Sequence, residues 1–382
     1  VTYENNIGGK LLLVDDNPVN LQMLYQLLDK PGLRLLVAKT GKTALEITKK
    51  TLPDLILLDI MMPGIDGFEV CRRLKADPVT RPIPVIFLSA LDDTADKVKG
   101  LKLGAVDFVS KPFQPEEVIA RVNTHLTLHR LAREVQTQRD RLVRELKIVS
   151  DLQRDLLPEM LPDIPGMNLA AYYDTSLYAG GDYFDVVKLN DGRCGLLVAD
   201  AEGHSAPAAV MMAMTCALFR SCPEIHGQPG KVIDYINRNL CNVNKESFVT
   251  AIYGLYDNAD RTLQIARAGH PLPILFRPSE GKARELACDG VFLMGVDFYE
   301  NVPVSTIALE KGDRFLLYTD GVTERFDIRN RPYGEERLCR QLESPEINDP
   351  RRILSRIVED LGTFSAGRPS EDDVAMLLAT VE

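Results

Sequence analysis

Residues 55–70 read LILLDIMMPGIDGFEV, an unbroken apolar run that stops at a carboxylate, turns through Pro-Gly and opens a helical pattern. A strand without polar alternation is one buried on both faces, as in parallel sheets covered by helices on both sides. Outward from this stretch the same alternation repeats between Lys10 and about Lys111, as LLLV, PVNLQMLYQLLDK, RLLVA, GKTALEITKK, PVIFLSA, ADKVKGLKLG and VDFVS. The pattern predicts an α/β unit, and in open sheets of this kind ligands gather at the carboxyl ends of the strands.

The reactive residues sit at those ends. Asp15 and Asp16 follow LLLV, Asp59 follows LILL, Ser89 follows VIFL and Lys111 follows VDFVS. Carboxylate oxygens are the ligands a hard Mg²⁺ prefers, and a carboxylate such as Asp59 can attack a phosphoryl group in line. Lys111 would neutralise the new charge and the Ser89 hydroxyl would hydrogen-bond it. With VDDN, LLDIMMPGIDGFEV, FLSA and DFVSKPF, residues 9–122 resemble a two-component receiver domain. The resemblance implies a flavodoxin-like, five-stranded parallel sheet of order 2-1-3-4-5, with Asp15 and Asp16 as the acidic pocket and Asp59 as the phosphoacceptor. It also implies Ser89 as switch hydroxyl, Phe108 as switch aromatic, Lys111 as the charge-neutralising lysine, and the Met61 backbone carbonyl completing a Mg²⁺ site. A sensor histidine kinase or phosphotransfer protein is then the upstream partner.

Between Pro115 and Pro158 no proline interrupts a stretch rich in good helix formers, so a long helix is expected. Three-and-four spacing picks out Leu128, Leu131, Val135, Gln138, Leu142, Glu145, Val149, Leu152 and Leu156, seven of them apolar. So narrow a stripe suits a two-stranded seam, and residues 123–162 are expected to form a coiled-coil linker that makes a homodimer through 126–160.

Beyond Pro165 short strand patterns (NLAAYY, DYFDVVKL, GRCGLLVAD, FVTAIYGLYD, TLQIARAG, LPILFR, DRFLLYTD, DVAMLLAT) alternate with turns, and helical patterns interrupt near 207–221, 229–245, 335–343 and 350–364. This predicts an α+β domain over 163–382 with mainly antiparallel strands. Acidic residues recur at strand ends: Asp182 and Asp185 in GGDYFD, Asp200 in VADAEGH, Asp320 in LLYTDGVTE, Asp372 and Asp373 in EDDVAMLL. Brought together, they suit two divalent ions that orient a water and clamp a phosphate. His204, His226 and His270 lack zinc-like spacing, and no G-x-S-x-G elbow supports a serine hydrolase. Gly-His turns at His204 and His270 are read as loop-shaping, and Met211, Met212 and Met214 as core.

The set GGDYFD, D-x-x-GH, AGHP, LYTDGVTE and DDV resembles bacterial phosphatases of the RsbU and SpoIIE type, within the metal-dependent type 2C fold, and QRDLLPEMLP (153–162) resembles the lead-in to such domains. The resemblance implies an αββα sandwich and a two-ion Mn²⁺ or Mg²⁺ site made by Asp182, Asp200, the Ala201 carbonyl, Asp320 and Asp372. It also implies a phosphoserine/phosphothreonine phosphatase acting on a phosphorylated anti-sigma factor antagonist in a partner-switching or stress pathway. The chain departs from the pattern at Glu202 and Ser205, where a small or hydroxylated residue and a glycine are usual. A non-catalytic adaptor of the RssB type, binding the stationary-phase sigma factor for proteolysis, is the alternative, but that group typically loses the aspartates retained here.

The chain of 382 residues has a formal charge of −10, which argues against a broad nucleic-acid or anionic-membrane surface, and no helix-turn-helix pattern follows the receiver-like part. Neither DNA nor membrane is therefore an expected partner. Seven cysteines without C-x-x-C spacing fit a reduced setting, nothing before Gly9 reads as a leader, and a cytoplasmic protein is expected.

Overall fold

A computed structural model describes residues 8–90, 94–176, 180–203, 206–243, 247–299, 301–343 and 348–382. The chain divides into two compact units, Val1–Arg141 and Leu142–Glu382.

The first unit runs β1 (Gly9–Val14), α1 (Pro18–Leu28), β2 (Leu33–Ala38), α2 (Gly41–Thr51), β3 (Leu55–Asp59), α3 (Gly67–Ala76), β4 (Val85–Ala90), α4 (Thr94–Lys102), β5 (Asp107–Lys111) and α5 (Pro115–Leu156). Its five strands are parallel in the order β2-β1-β3-β4-β5, the expected flavodoxin-like sheet. Alternate residues of the central strands feed opposite cores. Leu12, Val14, Ile56 and Leu58 pack with Ala44 of α2 and Val70 and Cys71 of α3, whereas Leu11, Leu13, Leu55 and Leu57 pack with Leu21 and Leu24 of α1 and Val118 and Val122 of α5. The helices start where side chains cap them: Asn17 accepts from Val19 N, Thr40 from Thr43 N and Asp66 from Glu69 N. β1, β2 and β3 thereby end in short loops at the carboxyl edge of the sheet, which fixes where Asp15 and Asp59 emerge.

α5 is a single helix of 42 residues. It buries Val118, Val122 and Leu126, then leaves Leu128, Leu131, Val135, Leu142 and Leu152 more than half exposed. Its last turn is buried again at Gln153, and Leu157 just beyond it is buried too.

The second unit continues with β6 (Met167–Asp174), β7 (Asp182–Lys188), β8 (Cys194–Ala201), α6 (Ala206–Arg220), α7 (Pro229–Val243), β9 (Val249–Asp257), β10 (Thr262–Ala268), β11 (Ile274–Arg277), β12 (Lys282–Glu285), β13 (Ser305–Ala308), β14 (Arg314–Tyr318), α8 (Glu335–Leu342), α9 (Pro350–Ser365) and β15 (Val374–Val381). Two antiparallel sheets, β13-β10-β9-β8-β7 and β12-β11-β14-β15-β6, lie face to face. α6 and α7 cover the first sheet, α8 and α9 the second, giving the αββα sandwich. α7 buries Val232, Ile233, Ile236 and Leu240, and α9 buries Ile353, Leu354, Ile357 and Leu361, each worth roughly 1.5–3 kcal/mol on burial. β15, an interior strand between β14 and β6 and covered on both faces, has all eight residues buried. β12 and β13 lie outside the strand patterns read from sequence. They are four-residue edge strands, KARE and STIA, too short and polar to show a period. Met211 and Met212 are buried and Met214 packs against the same core, as expected. All seven cysteines are free thiols, and among the described residues no helix is long and apolar enough to cross a membrane.

Candidate functional site

Each unit gathers carboxylates at one place. In the first, Asp15 is fully buried at the end of β1, with Oδ1 accepting from Asn17 N at 2.8 Å and Oδ2 from Asn20 Nδ2 at 3.0 Å. Lys111 Nζ, at the end of β5, lies 2.8 Å from Asp15 Oδ2 and 2.8 Å from Asp59 Oδ1. Burial pushes the Asp59 carboxyl up, and Lys111 and the Met61 backbone N–H pull against that rise. Burial alone would lower Lys111, but its hydrogen bonds to Asp15 and Asp59 leave it raised. Asp15, Asp16 and Asp59 each place a carboxylate oxygen within 4.8 Å of the others, a donor set that suits a hard divalent cation. The Ser89 hydroxyl is buried at the next strand end with no hydrogen-bond partner among the described residues. Phe108 is half-buried, with the Arg121 guanidinium 5.7 Å from its ring centroid. The Lys111–Pro112 peptide is cis.

In the second unit Asp182 starts β7 directly opposite Asp200 near the end of β8, and Asp200 is in turn opposite Thr250 on β9. Directly opposed residues share one face of an antiparallel sheet, so the three side chains form a row. Asp182 is buried, and its Oδ2 accepts from the Thr319 hydroxyl, at the end of β14, at 2.7 Å. Burial, and then the charge of Asp200, raise Asp182 well above the usual carboxylate range. Burial, followed by the charges of Asp320, Asp372 and Asp373, pushes Asp200 up to about 8. Asp320 is held at about 6 by burial and then by Asp372 and Glu324. Mutually repelling, desolvated acids of this kind are what a bound cation relieves, so the residues fit divalent ions. Unlike the first unit, no three of these acids bring their oxygens within 4.8 Å of one another among the described residues.

The paired acids read from sequence divide by role. Asp185, three residues after Asp182, takes the Tyr183 hydroxyl at 2.5 Å and Arg220 Nε at 2.8 Å. Residues three apart on a strand face opposite sides, so Asp185 belongs to packing. Asp373 is buried, with Oδ1 accepting from Ser176 N and Oδ2 from Gly181 N, both at 2.8 Å; Asp372 remains half-buried beside it. A Cβ on Gly180 would lie 2.4 Å from Asp373 Oδ2, and one on Gly181 would lie 2.1 Å from the Ala201 carbonyl oxygen, so the Gly-Gly pair is what lets this loop approach. Glu202 is exposed, its N–H donating to Phe248 O at 3.0 Å. His204 and Ser205 lie outside the described residues. His270 is buried, with Nδ1 2.7 Å from Thr250 Oγ1, and burial lowers its pKa to about 3. Thr319 and Gln153 are neighbours of the site that the sequence reading gave no role; only tertiary packing brings them there.

Residues 190–382, just over half of the chain, match the family Stage II sporulation protein E (SpoIIE), and residues 11–123 match the response regulator receiver domain. The response regulator PleD of Caulobacter vibrioides is 41% identical over 144 residues, 38% of this chain and 32% of PleD, so the chain spans about a third of that relative. The SiaA-PP2C domain of Pseudomonas aeruginosa superposes with a TM-score of 0.56 at 19% identity over 64% of this chain and 98% of that one. The RsbU and RsbW domains of Rv1364c from Mycobacterium tuberculosis give 0.50 at 28% identity over 59% and 63%.

Proposed function

We propose that this chain, which belongs to the SpoIIE family and carries a response regulator receiver domain joined to its PP2C-type phosphatase domain, is a metal-dependent serine/threonine protein phosphatase set by phosphorylation of Asp59. We assign 9–122 to the receiver, 123–162 to a helical linker and 163–382 to the phosphatase. The observation that carries the reading is the pair of directly opposed carboxyls at Asp182, which is buried, and Asp200, which is half-buried, both raised above the usual carboxylate range, with the charges of Asp320 and Asp372 adding to the rise at Asp200.

Asp182, Asp200, Asp320, Asp372 and the Ala201 carbonyl would hold two Mn²⁺ or Mg²⁺ ions. Ions held there supply an acidified, oriented water and offset the charge of a phosphate. The chain's own part is placement. Thr319 fixes one oxygen of Asp182, leaving the other for the site. Asp373 ties down the loop that leads into β7. In the receiver, Asp59 would accept a phosphoryl group from a histidine kinase or phosphotransfer protein, with Mg²⁺ held by Asp15, Asp16, Asp59 and the Met61 carbonyl. Lys111 stands 2.8 Å from Asp59, placed to meet the added charge. The Ser89 hydroxyl, without a hydrogen-bond partner among the described residues, would donate to it.

The RsbU-like resemblance supports a phosphorylated anti-sigma factor antagonist as substrate. The exposed Leu128, Leu131, Val135, Leu142 and Leu152 support pairing of α5 with α5 of a second copy. The deciding experiment is Mn²⁺-dependent phosphate release from a phosphoserine-bearing anti-sigma antagonist, with and without beryllofluoride on the receiver, and with Asp200→Ala as control. Turnover lost in the control is the expected result. No turnover with metal and several substrates supplied would transfer the proposal to a sigma-binding adaptor.

A further inference from the structure

After a long run of exposed positions, the first side chain that α5 buries is a polar one. Gln153 is 3% exposed, while its neighbours Leu152 and Arg154 are exposed. Its amide is matched to the backbone of a single residue: Nε2 donates to Gly180 O at 2.6 Å, and Gly180 N donates to Oε1 at 3.0 Å. Gly180 stands two residues before Asp182. On its other side the same loop is held by Asp373 through Gly181 N at 2.8 Å, and Gly181 O accepts from Ala201 N at 3.1 Å.

A second tether lies three residues beyond Asp182. Arg220 Nε donates to Asp185 Oδ2 at 2.8 Å, and its Nη2 donates to Leu156 O, the last residue of α5, at 2.8 Å. Leu157 anchors the helix end in the core of the same unit. The final turn of α5 is therefore tied to β7 on both sides of Asp182.

We propose that Gln153 is a positioning residue for the phosphatase site: its amide sets the place of Gly180-Gly181 and hence of Asp182, and the last turn of α5 is where a displacement of that helix enters the site. The inference rests on the reading of Asp182 as a metal ligand. The two hydrogen bonds require a side chain that both donates and accepts at the same reach. Glutamate keeps the length and the acceptor but has no proton for the Gly180 carbonyl. Because partners of metal-holding groups typically change affinity 10–100-fold when removed, the defect is one of metal binding.

The test uses the full chain, with Mn²⁺ titrated calorimetrically and p-nitrophenyl phosphate hydrolysis followed against Mn²⁺. The variants are Gln153→Ala, Gln153→Glu, the exposed neighbour Asp151→Ala and Asp200→Asn. Heat lost in Asp200→Asn identifies the phosphatase ions apart from the receiver's. Both Gln153 variants are expected to weaken that binding by about tenfold or more, with kcat recovering at saturating Mn²⁺ and substrate KM unchanged. Asp151→Ala should match the parent. Parent-like Mn²⁺ affinity in either folded Gln153 variant overturns the role. A kcat that stays low at all Mn²⁺ concentrations also overturns it, in favour of a merely structural side chain. A parent that shows no Asp200-dependent Mn²⁺ uptake removes the metal-site reading itself, a result separable from the others.

Discussion

The Thr319 hydroxyl donates to Asp182 Oδ2 at 2.7 Å and accepts from Ala375 N at 2.9 Å, joining the start of β7 in one sheet to β14 and β15 in the other. Thr319 is fully buried. Thr319→Val keeps the shape but leaves a buried carboxylate oxygen and a backbone N–H unpaired, a cost of about 1–3 kcal/mol. Mn²⁺ affinity should fall about 10–100-fold, and Thr319→Ser should stay near the parent. Calorimetry and thermal melts check both. Equal loss in the serine variant would show that the methyl group, and not the hydroxyl, matters.

Ser89 offers the opposite case. Its hydroxyl has no partner among the described residues to lose, so Ser89→Ala should not destabilise the first unit. The response of phosphatase activity to beryllofluoride should nevertheless drop sharply. An unchanged beryllofluoride response would remove Ser89 from the switch.

His270 sets an acid limit on the second unit. Its pKa falls from 6.5 to about 3 because burial disfavours the charged ring. A depressed folded pKa gives stability that is complete above the unfolded value and is lost as pH falls from about 6.5 toward 3. At about 1.4 kcal/mol per unit, the loss over that window is on the order of 4 kcal/mol. His270→Gln should flatten it in urea melts at pH 7 and pH 4; an identical slope in the variant would place the acid sensitivity elsewhere.

Asp200 gives the reverse sign. Its carboxyl is pushed from 3.8 to about 8 without metal, so the stability tied to its neutral form is present below about pH 4 and lost as pH rises through 8. In chelator, Asp200→Asn should therefore gain on the parent as pH climbs, reaching at least about 1 kcal/mol, or roughly 2–4 °C in Tm. Added Mn²⁺ should stabilise the parent and not the variant. A variant that melts below the parent in chelator at pH 8 would contradict the mutual repulsion of these acids.

The receiver was legible almost residue by residue, because in a parallel sheet every strand ends on the same edge. Asp15, Asp59 and Ser89 follow apolar runs directly and Lys111 ends β5, and the sheet order brings Asp15, Asp59 and Lys111 together. The second unit was legible as an inventory of acids. Which acids face the site was decided by side-chain alternation and cross-strand register: Asp182 meets Asp200, Asp185 turns to Arg220, and Asp373 is occupied by Gly181 and Ser176.

The sequence by itself determined the two units, the long helix between their cores and the candidate ligands, since apolar period and turn chemistry are local properties of the chain. Only the tertiary structure decided the partners that hold those ligands: Thr319 at Asp182, His270 at Thr250 and Gln153 at Gly180. The last pair is separated by 27 residues and Thr319 from Asp182 by 137. Contacts at such range follow from how sheets and helix ends are packed, and no local pattern of residues encodes them.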